Sequence, residues 1–291
     1  MVELITNVNN AVNGFVWGVP MLVLLVGTGI LMTVLTKFFQ LSHIGHWFQN
    51  TVGGIFHDKH VTKHTEAGDQ SISQFQSLCT ALAATIGTGN IVGVASALVA
   101  GGPGAIFWMW IVAFFGMMTN YSENVLGIYY RRRNSKGEWS GGAMYYLKDG
   151  LGSYKGCKQI GAILATLFSA FCLLASFGIG NMSQVNSIAA NMTSAFSIPA
   201  TVAGIVLVLV GALVIVGGLK RIASVTEKLV PFMAIAYVLG ALVIFFANIS
   251  HIGAVFTAIF KGAFGLKAVG GGIVGSGVKL ALTWGMKRGV F

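Results

Sequence analysis

Long uncharged hydrophobic stretches are the dominant pattern along this chain. Residues 4–36, 70–122, 159–219 and 229–260 contain no Asp, Glu, Lys or Arg. A helix that crosses a bilayer needs about 20 mostly apolar residues, so the first and last stretches each have room for one crossing and the middle two each have room for two. The pattern therefore predicts six membrane-spanning helices, at residues 16–36, 72–100, 104–130, 159–182, 199–217 and 229–247.

Four further segments complete this prediction. Residues 39–57 have apolar side chains at helical spacing, which is typical of an amphipathic helix lying on the membrane surface. Residues 253–264 show a similar pattern. Residues 269–291 begin with glycines and are predicted to start another element. The polar residues 182–198 are predicted to form the loop between the fourth and fifth spans.

The composition agrees with a membrane protein. Of the 291 residues, 55% are hydrophobic and only 9% are charged. A soluble domain carries about 25% charged residues, so this chain has too little charge to solvate the surface of a water-borne fold. A soluble enzyme, a disordered chain and a fibrous repeat are therefore excluded, and an integral membrane protein is predicted.

The basic residues predict an orientation. When the spans alternate across the membrane, thirteen of the eighteen Lys and Arg residues fall on one side, in the loops 37–70, 131–158 and 218–228. Because Lys and Arg are enriched in cytoplasmic loops, this side is predicted to be cytoplasmic and the N-terminus to lie outside, in a multi-pass protein of the cell membrane. The net charge of +10 is then explained by contact with the lipid bilayer and its anionic head groups, and no nucleic acid is predicted as a partner.

The middle of the second span carries residues that do not favour a helix. Gly87, Thr88, Gly89 and Asn90 follow one another there, and two glycines flanking a threonine are poor helix formers. Non-helical backbone at membrane depth occurs only inside protein or beside a watery cavity, where its carbonyls can bind Na⁺ and its amides can bind a substrate carboxylate. A second interpretation, compatible with the first, is close helix packing through the small residues Gly89 and Gly93.

Two other groups carry candidate chemistry. His57, His60 and His64 share one helical face that could bind a metal ion, but no accompanying ligand or catalytic group supports such a site, so a solvated cytoplasmic loop is favoured. Glu123 is the only acid well inside a span, where it acts either as a proton or ion relay or as a partner in a structural hydrogen bond. No catalytic motif accompanies these residues, so the chain is not predicted to be an enzyme or to need a cofactor.

A polar group follows the fourth span. Asn181, Gln184 and Asn186 lie near its predicted outer end. Two interpretations stay open for them, a lining of the outward pathway and a helix cap at the water boundary.

Several long motifs resemble those of one known family. They are QFQSLCTALAATIGTGNIVGV (74–94), GGPGAIFWMW (101–110), GMMTNYSE (116–123), GGAMYY (141–146), GNMSQ (180–184) and TWGMKRGVF (283–291). In these motifs the chain resembles the sodium:alanine/glycine symporters, the alanine or glycine:cation symporter family.

The resemblance implies an all-α membrane protein with a leucine-transporter-like fold of two inverted five-helix repeats. Residues 1–68 would form an extra helix and an interfacial segment, 69–250 the first repeat, and 251–291 an outer interfacial segment and the start of the second repeat. Because family members extend beyond Phe291, the expected bundle is incomplete, with the first repeat and only the start of the second.

The resemblance also implies a function. The family couples Na⁺, as the coupling ion, to the symport of a small neutral amino acid, alanine or glycine, by alternating access. A proton-coupled permease of the same architecture is the first alternative, and a truncated, non-transporting membrane fragment is the second.

The site residues come from the same resemblance. The backbone of Gly87, Thr88 and Gly89 is implied to face the substrate carboxylate, while Asn181 and Gln184 are candidates for the substrate site or its pathway.

Two Na⁺ sites are implied as well. The carbonyls near Ala83 and Ile86 would form one site, and the carbonyl of Thr85 with the side chain of Asn90 would form the second.

Overall fold

The computed structural model describes residues 2–16, 18–54, 72–135, 137, 139–178, 181–264 and 281–286, and these are almost entirely helical. The α-helices are α1 (Val2–Val16), α2 (Val19–Leu35), α3 (Phe39–Ser42), α4 (Ile44–Phe48), α5 (Gln74–Thr85), α6 (Val94–Gly101), α7 (Gly104–Tyr129), α8 (Ala143–Tyr145), α9 (Lys158–Phe177), α10 (Met182–Phe196), α11 (Ala200–Ile215), α12 (Gly218–Ala247), α13 (Ile252–Phe264) and α14 (281–286). The prediction of an all-α membrane protein is thereby confirmed, whereas its division into inverted repeats stays a prediction.

Short elements connect these helices. Three π-helical turns and two 3₁₀ turns occupy Gln49–Gly53, Gly89–Gly93, Tyr146–Gly150, Leu151–Ser153 and Ile249–His251. Strands β1 (Arg132–Arg133) and β2 (Trp139–Ser140) form a small antiparallel hairpin in which Arg133 lies opposite Trp139.

The long apolar helices match most of the predicted spans. Within the described residues, four helices are long and apolar enough to cross a bilayer, at Thr6–Leu35, Gly104–Tyr129, Lys158–Phe177 and Gly218–Ala247. Gln74–Thr85 with Gly89–Gly101 makes a fifth if the two pieces count as one span. Helix α11 is apolar but has only 16 residues, about 24 Å of helix, slightly less than a hydrocarbon core of about 30 Å.

The polar segment 182–198 was wrongly predicted to be a loop. The structure has the 15-residue helix α10 there. The pattern that indicates a helix is present in the sequence, because apolar side chains recur three, four and seven positions apart at Val185, Ile188, Ala189 and Met192. The absence of charge and the many Asn and Ser residues concealed it.

The segment 218–228 is also helical, contrary to the predicted cytoplasmic loop. It forms the first third of α12, which has 30 residues. Because such a helix is about 45 Å long, it extends beyond the hydrocarbon core, and its charged residues can lie at the level of the head groups without ending the helix.

The N-terminal half of the chain differs from the prediction in two ways. Helix α1 precedes the predicted first span and was not expected. The amphipathic segment 39–57 is helical as predicted but interrupted, because α3 ends at Ser42 and α4 begins at Ile44. Residues 55–57 lie outside the described part of the chain.

Small residues make most of the interior contacts. Among the described residues, most of the buried apolar side chains are alanines, including Ala97, Ala105, Ala223 and Ala263. Membrane helices lack a hydrophobic driving force against lipid and instead pack through small residues that bring backbones close together. The large apolar side chains lie mainly on the outer helix surfaces, as expected for residues in contact with lipid.

The chain divides into two compact units. They are Met1–Gly45 with Gly89–Ser122 and Ile244–Phe291, and His46–Thr88 with Glu123–Val243. The division falls between Thr88 and Gly89, so each half of the second span belongs to a different unit. The sequence-based boundaries at residues 68 and 250 stay predictions.

A close helix contact in the first unit joins α7 to α13. Gly104 and Gly262 meet there without an intervening side chain, and a Cβ atom on Gly262 would lie 2.7 Å from the Gly104 nitrogen. Beside this contact, the rings of Phe107 and Phe264 pack edge to face with centroids 4.8 Å apart. Two glycines therefore set the distance between these helices.

Candidate functional site

The predicted break in the second span is present. Helix α5 ends at Thr85, and Ile86 has an extended backbone with φ −82° and ψ 94°. The helix resumes at the π-helical turn that begins with Gly89, and its direction changes by 51° across the break. The local reason is the low helix propensity of the two glycines and of the threonine between them.

Gln184 of α10 contacts the break directly. The backbone N–H of Thr88 donates a hydrogen bond to Oε1 of Gln184, with 3.1 Å between nitrogen and oxygen. Gly87 lies against the same side chain, and a Cβ atom at position 87 would overlap Nε2 of Gln184. Three residues that were predicted to bind substrate, Gly87, Thr88 and Gln184, therefore lie together. A side chain at position 87 would have to displace the flexible end of Gln184.

The Thr88 contact also orients the amide of Gln184. An N–H group requires an acceptor, so the carbonyl oxygen of the amide must face Thr88. The NH₂ group then lies on the side of Gly87 and offers two donors.

The carbonyls implied for Na⁺ lie in the last turn of α5 and just after it. The N–H of Ile86 donates to the carbonyl of Leu82 at 2.7 Å, which closes the final helical turn. Since the chain then leaves the helix, the carbonyl of Ala83 has lost the helical partner that a continuing helix would provide. The hydroxyl of Thr85 donates to the carbonyl of Ala81 at 2.9 Å, so the side chain of Thr85 is engaged in its own helix. Na⁺ binding by the carbonyls of Ala83, Thr85 and Ile86 stays a prediction.

Two predicted residues begin the second piece of the span. Gly89 and Asn90 are the first residues of the π-helical turn, and Asn90 is exposed. A π-helical turn is an uncommon element that often marks functional sites. The predicted roles of Gly89 toward substrate and of Asn90 toward Na⁺ stay predictions.

Asn181 does not share the position of Gln184. It is the N-cap residue of α10 but makes no capping hydrogen bond with its side chain, which is exposed. Its carbonyl accepts from the N–H of Val185 at 3.0 Å. Of the hydrogen bonds among the described residues, none joins Asn181 to the break, so a direct role for Asn181 rests on the family resemblance alone.

A second polar contact, which no pattern in the sequence indicates, holds the first half of the broken span. The capping box of α5 pairs Ser73 with Gln76, and Gln76 also donates from Nε2 to Oε2 of Glu227 on α12 at 2.9 Å. One turn later, the hydroxyls of Thr80 and Thr226 lie 3.2 Å apart. These groups are 151 and 146 positions apart in the chain, so no local signal relates them.

Replacement of Gln76 by leucine is expected to lower the free energy of unfolding by about 2 kcal/mol, because it removes a hydrogen bond to a charged carboxylate. The measurement is chemical unfolding of the purified full-length protein in detergent. Gln74→Leu is the matched control, since Gln74 lies on the same helix and is exposed, and it should change stability by about 0.5 kcal/mol or less. Equal effects of the two substitutions would contradict the importance of the Glu227 contact.

The candidate metal site is outside the described structure. His57, His60 and His64 all lie in 55–71, which the structure does not describe. In the part that it does describe, no group of three His, Cys, Asp or Glu side chains is arranged to hold a metal ion.

Comparison with known proteins identifies the family. The model of the sodium:alanine symporter family matches residues 2–291. The sodium/alanine symporter AgcS of Methanococcus maripaludis is 48% identical over 97% of this chain and 59% of its own length. An uncharacterised transporter of Haemophilus influenzae is 44% identical over 99% of the chain and 59% of its own length. The amino-acid carrier protein AlsT of Bacillus subtilis is 34% identical over 97% of the chain and 55% of its own length.

These matches cover nearly the whole chain, whereas the chain spans only between 55 and 59% of the length of the three relatives. Together with the apolar helices and the broken second span, they show a multi-pass membrane protein of a transporter family. The chain belongs to the sodium:alanine symporter family.

Proposed function

We propose that the protein is a secondary active transporter that couples Na⁺ to the uptake of a small neutral amino acid, alanine or glycine, by alternating access. The observation that carries this proposal is the break in the second span, where the N–H of Thr88 and the amide of Gln184 meet beside Gly87. Backbone polar groups freed at membrane depth are the groups with which transporters bind ions and zwitterionic substrates.

The substrate carboxylate is proposed to bind next to Gly87. The NH₂ group of Gln184 faces this side and supplies two donors. Because a carboxylate is a stronger acceptor than a neutral amide, it can also compete with Oε1 of Gln184 for the Thr88 N–H. The NH₂ group of Gln184 and the N–H of Thr88 therefore both favour an anionic group over a neutral one.

The coupling ion is proposed to bind at the end of α5. A helix C-terminus carries a partial negative charge on its last carbonyls, which attracts cations. These carbonyls, from Ala83 to Ile86, lie within five residues of Thr88. Bound Na⁺ would therefore lie close in the chain to the substrate carboxylate, and the two opposite charges would favour each other's binding.

A proton-coupled permease is the second candidate, and one observation favours it. Glu123 lines a cavity of about 310 Å³ together with Tyr146. Burial, and secondly the charge of Glu123, raise the pKa of Tyr146 above its ordinary value, so the phenol stays protonated at physiological pH. A carboxylate near a protonated phenol is a possible proton site.

One transport assay separates the two candidates. In proteoliposomes that contain the full-length protein, an inward Na⁺ gradient is expected to drive accumulation of radiolabelled alanine, and K⁺ in place of Na⁺ is expected to abolish it. Excess glycine should compete with the label. Glu123→Gln should leave Na⁺-driven uptake within about twofold of the wild type, since replacement of one carboxylate outside the site changes little.

Two results would contradict the Na⁺ proposal. The first is accumulation driven by a pH gradient without Na⁺ and lost in Glu123→Gln, which would establish the proton-coupled alternative. The second is equilibration of alanine at the same rate in Na⁺ and in K⁺.

A further inference from the structure

A cleft of about 950 Å³ lies in the second compact unit, at the ends of three helices. We name it the Arg131 cleft. It is lined by Ile72, Gln74, Ser77, Ile128, Arg131, Trp139, Gly217, Gly218, Leu219 and Lys220. These residues come from the start of α5, the end of α7, the β hairpin and the first turn of α12. The cleft is separate from the proposed substrate site, because none of the residues at the break lines it.

The charge of this cleft is positive. Arg131 and Lys220 line it, and none of its lining residues is Asp or Glu. Neither cation forms an ion pair with a carboxylate within the described part of the chain, whereas the neighbouring Arg132 is paired with Asp149. Arg131 instead lies over the ring of Trp139, with its guanidinium carbon 4.2 Å from the ring centroid. Among the residues that the structure describes, the cleft therefore has two cations and no lining carboxylate.

Main-chain groups add to this positive potential. Gly218, Leu219 and Lys220 form the first turn of α12, where backbone N–H groups have no helical acceptor and the helix dipole is positive. Gly218 has φ +69°, a backbone conformation that suits glycine, and a Cβ atom there would meet nothing within 4 Å. The space beside the Cα atom of Gly218 is therefore open.

Helix lengths are consistent with a cleft at the membrane surface. Arg131 follows the end of the apolar helix α7 by two residues, and Lys220 lies in the first turn of α12, whose 30 residues make it longer than the hydrocarbon core is thick. The rim is apolar and exposed, since Ile128 and Leu219 each have 61% of their surface accessible and Trp139 has 47%. Exposed apolar side chains beside two exposed cations have the amphipathic character of a phospholipid at the boundary between its head group and its acyl chains.

We propose that the Arg131 cleft binds the phosphate head group of an anionic phospholipid from the surrounding leaflet. Arg131 and Lys220 bind the phosphate oxygens, and the first turn of α12 offers its N–H groups to the same oxygens. The glycerol and the upper acyl chains lie against Ile128, Leu219 and Trp139. Because Gln74 and Ser77 also line the cleft, the bound lipid contacts the first half of the broken span.

Lipid retention by the purified full-length protein tests the proposal. Native mass spectrometry is carried out after incubation with phosphatidylglycerol or phosphatidylcholine. For the double variant Arg131→Gln, Lys220→Gln, the preference for phosphatidylglycerol is expected to fall about 30-fold, because each cation near a membrane surface contributes about fivefold. The double variant Lys155→Gln, Lys228→Gln is the matched control. It removes the same charge from exposed lysines outside the cleft and should retain the preference.

A second measurement tests the same cleft without replacing either of its cations. The fluorescence of Trp139 is obtained as the difference between the wild type and Trp139→Phe, in nanodiscs with brominated phosphatidylglycerol or brominated phosphatidylcholine. Brominated phosphatidylglycerol is expected to quench this difference signal at least twofold more strongly. This result would support the cleft site even if the double variant failed to fold.

Three outcomes would overturn the proposal. They are an equal loss of lipid preference in the cleft variant and in the control variant, equal quenching of Trp139 by both brominated lipids, and displacement of phosphatidylglycerol by millimolar inorganic phosphate. The last result would assign the site to a free anion.

Discussion

Replacement of Gln184 by leucine is expected to lower Na⁺-driven alanine uptake by about 100-fold at subsaturating alanine. The variant loses the acceptor for the Thr88 N–H and the two donors that are proposed for the substrate carboxylate. One strong hydrogen bond to a charged group contributes about 1.5–3 kcal/mol, and about 2.8 kcal/mol corresponds to 100-fold. The measurement is the initial rate of uptake in proteoliposomes that contain equal amounts of folded protein.

Gln184→Glu separates binding from folding. A glutamate keeps an acceptor for the Thr88 N–H but replaces the two donors by a negative charge, which repels the substrate carboxylate. We therefore expect stability close to the wild type and uptake as low as in the leucine variant. Gln159→Glu, at an exposed position on α9, is the matched control and should transport normally. Normal uptake by Gln184→Glu would show that the carboxylate does not bind beside Gly87.

Gly104→Ala is expected to lower the free energy of unfolding by about 3 kcal/mol, a larger effect than that of Gln76→Leu. A Cβ atom at position 104 would overlap the backbone carbonyl of Gly262 and lie 2.5 Å from the nitrogen of Ala263. Backbone atoms cannot rotate away as a side chain can, so helices α7 and α13 must separate. Overpacking of this kind typically costs about 1–3 kcal/mol, and a displacement of whole helices places this case at the upper end.

The same helix supplies a control for this prediction. Gly116 also lies on α7, but a Cβ atom there would meet nothing within 4 Å. Gly116→Ala is therefore expected to leave stability unchanged or to raise it by up to about 1 kcal/mol, because alanine favours a helix more than glycine does. Chemical unfolding of both variants in detergent makes the comparison. Similar stabilities would contradict the close contact between α7 and α13.

The two halves of the broken span belong to different compact units. Its first half is fixed to α12 through Gln76 and Glu227, within one compact unit. Its second half begins at Gly89 and belongs to the other unit. The residues between these pieces have the lowest helix propensity in the span. If alternating access requires one half to change its direction, the break is the place where the backbone can accommodate the change with least cost.

The family resemblance anticipated more of the site than physical reasoning on the residues did. The residues themselves predicted a break at Gly87–Asn90, because local helix propensity is readable from local sequence. For Gln184 they left two interpretations open, a pathway residue and a helix cap, and the structure has it bound to the Thr88 N–H. The resemblance had named Gln184 as a candidate for the substrate site or its pathway. It had named Asn181 equally, and for Asn181 the structure provides no corresponding contact among the residues that it describes.

The two errors in the predicted secondary structure share one cause. The segments 182–198 and 218–228 were predicted to be loops because polarity and charge were used as the limits of the membrane. Helices α10 and α12 show that a helix can continue through polar and charged residues. In α10 the helical spacing of apolar residues was a local signal that polarity concealed. In α12 the helix continues through the charged residues Lys220, Arg221, Glu227 and Lys228.

The amino-acid sequence alone determines that the protein lies in a bilayer and where the helix of its second span is interrupted. Long uncharged stretches require a bilayer, because their free energy of transfer into water is unfavourable over some 20 residues at a time. Gly, Thr and Asn within such a stretch determine where its helix stops. Which side chains meet at that point could be learned only from the folded molecule. The contacts of Thr88 with Gln184, of Gln76 with Glu227 and of Gly104 with Gly262 join residues about 100 to 160 positions apart. Contacts over such separations depend on how whole helices pack and not on any local preference.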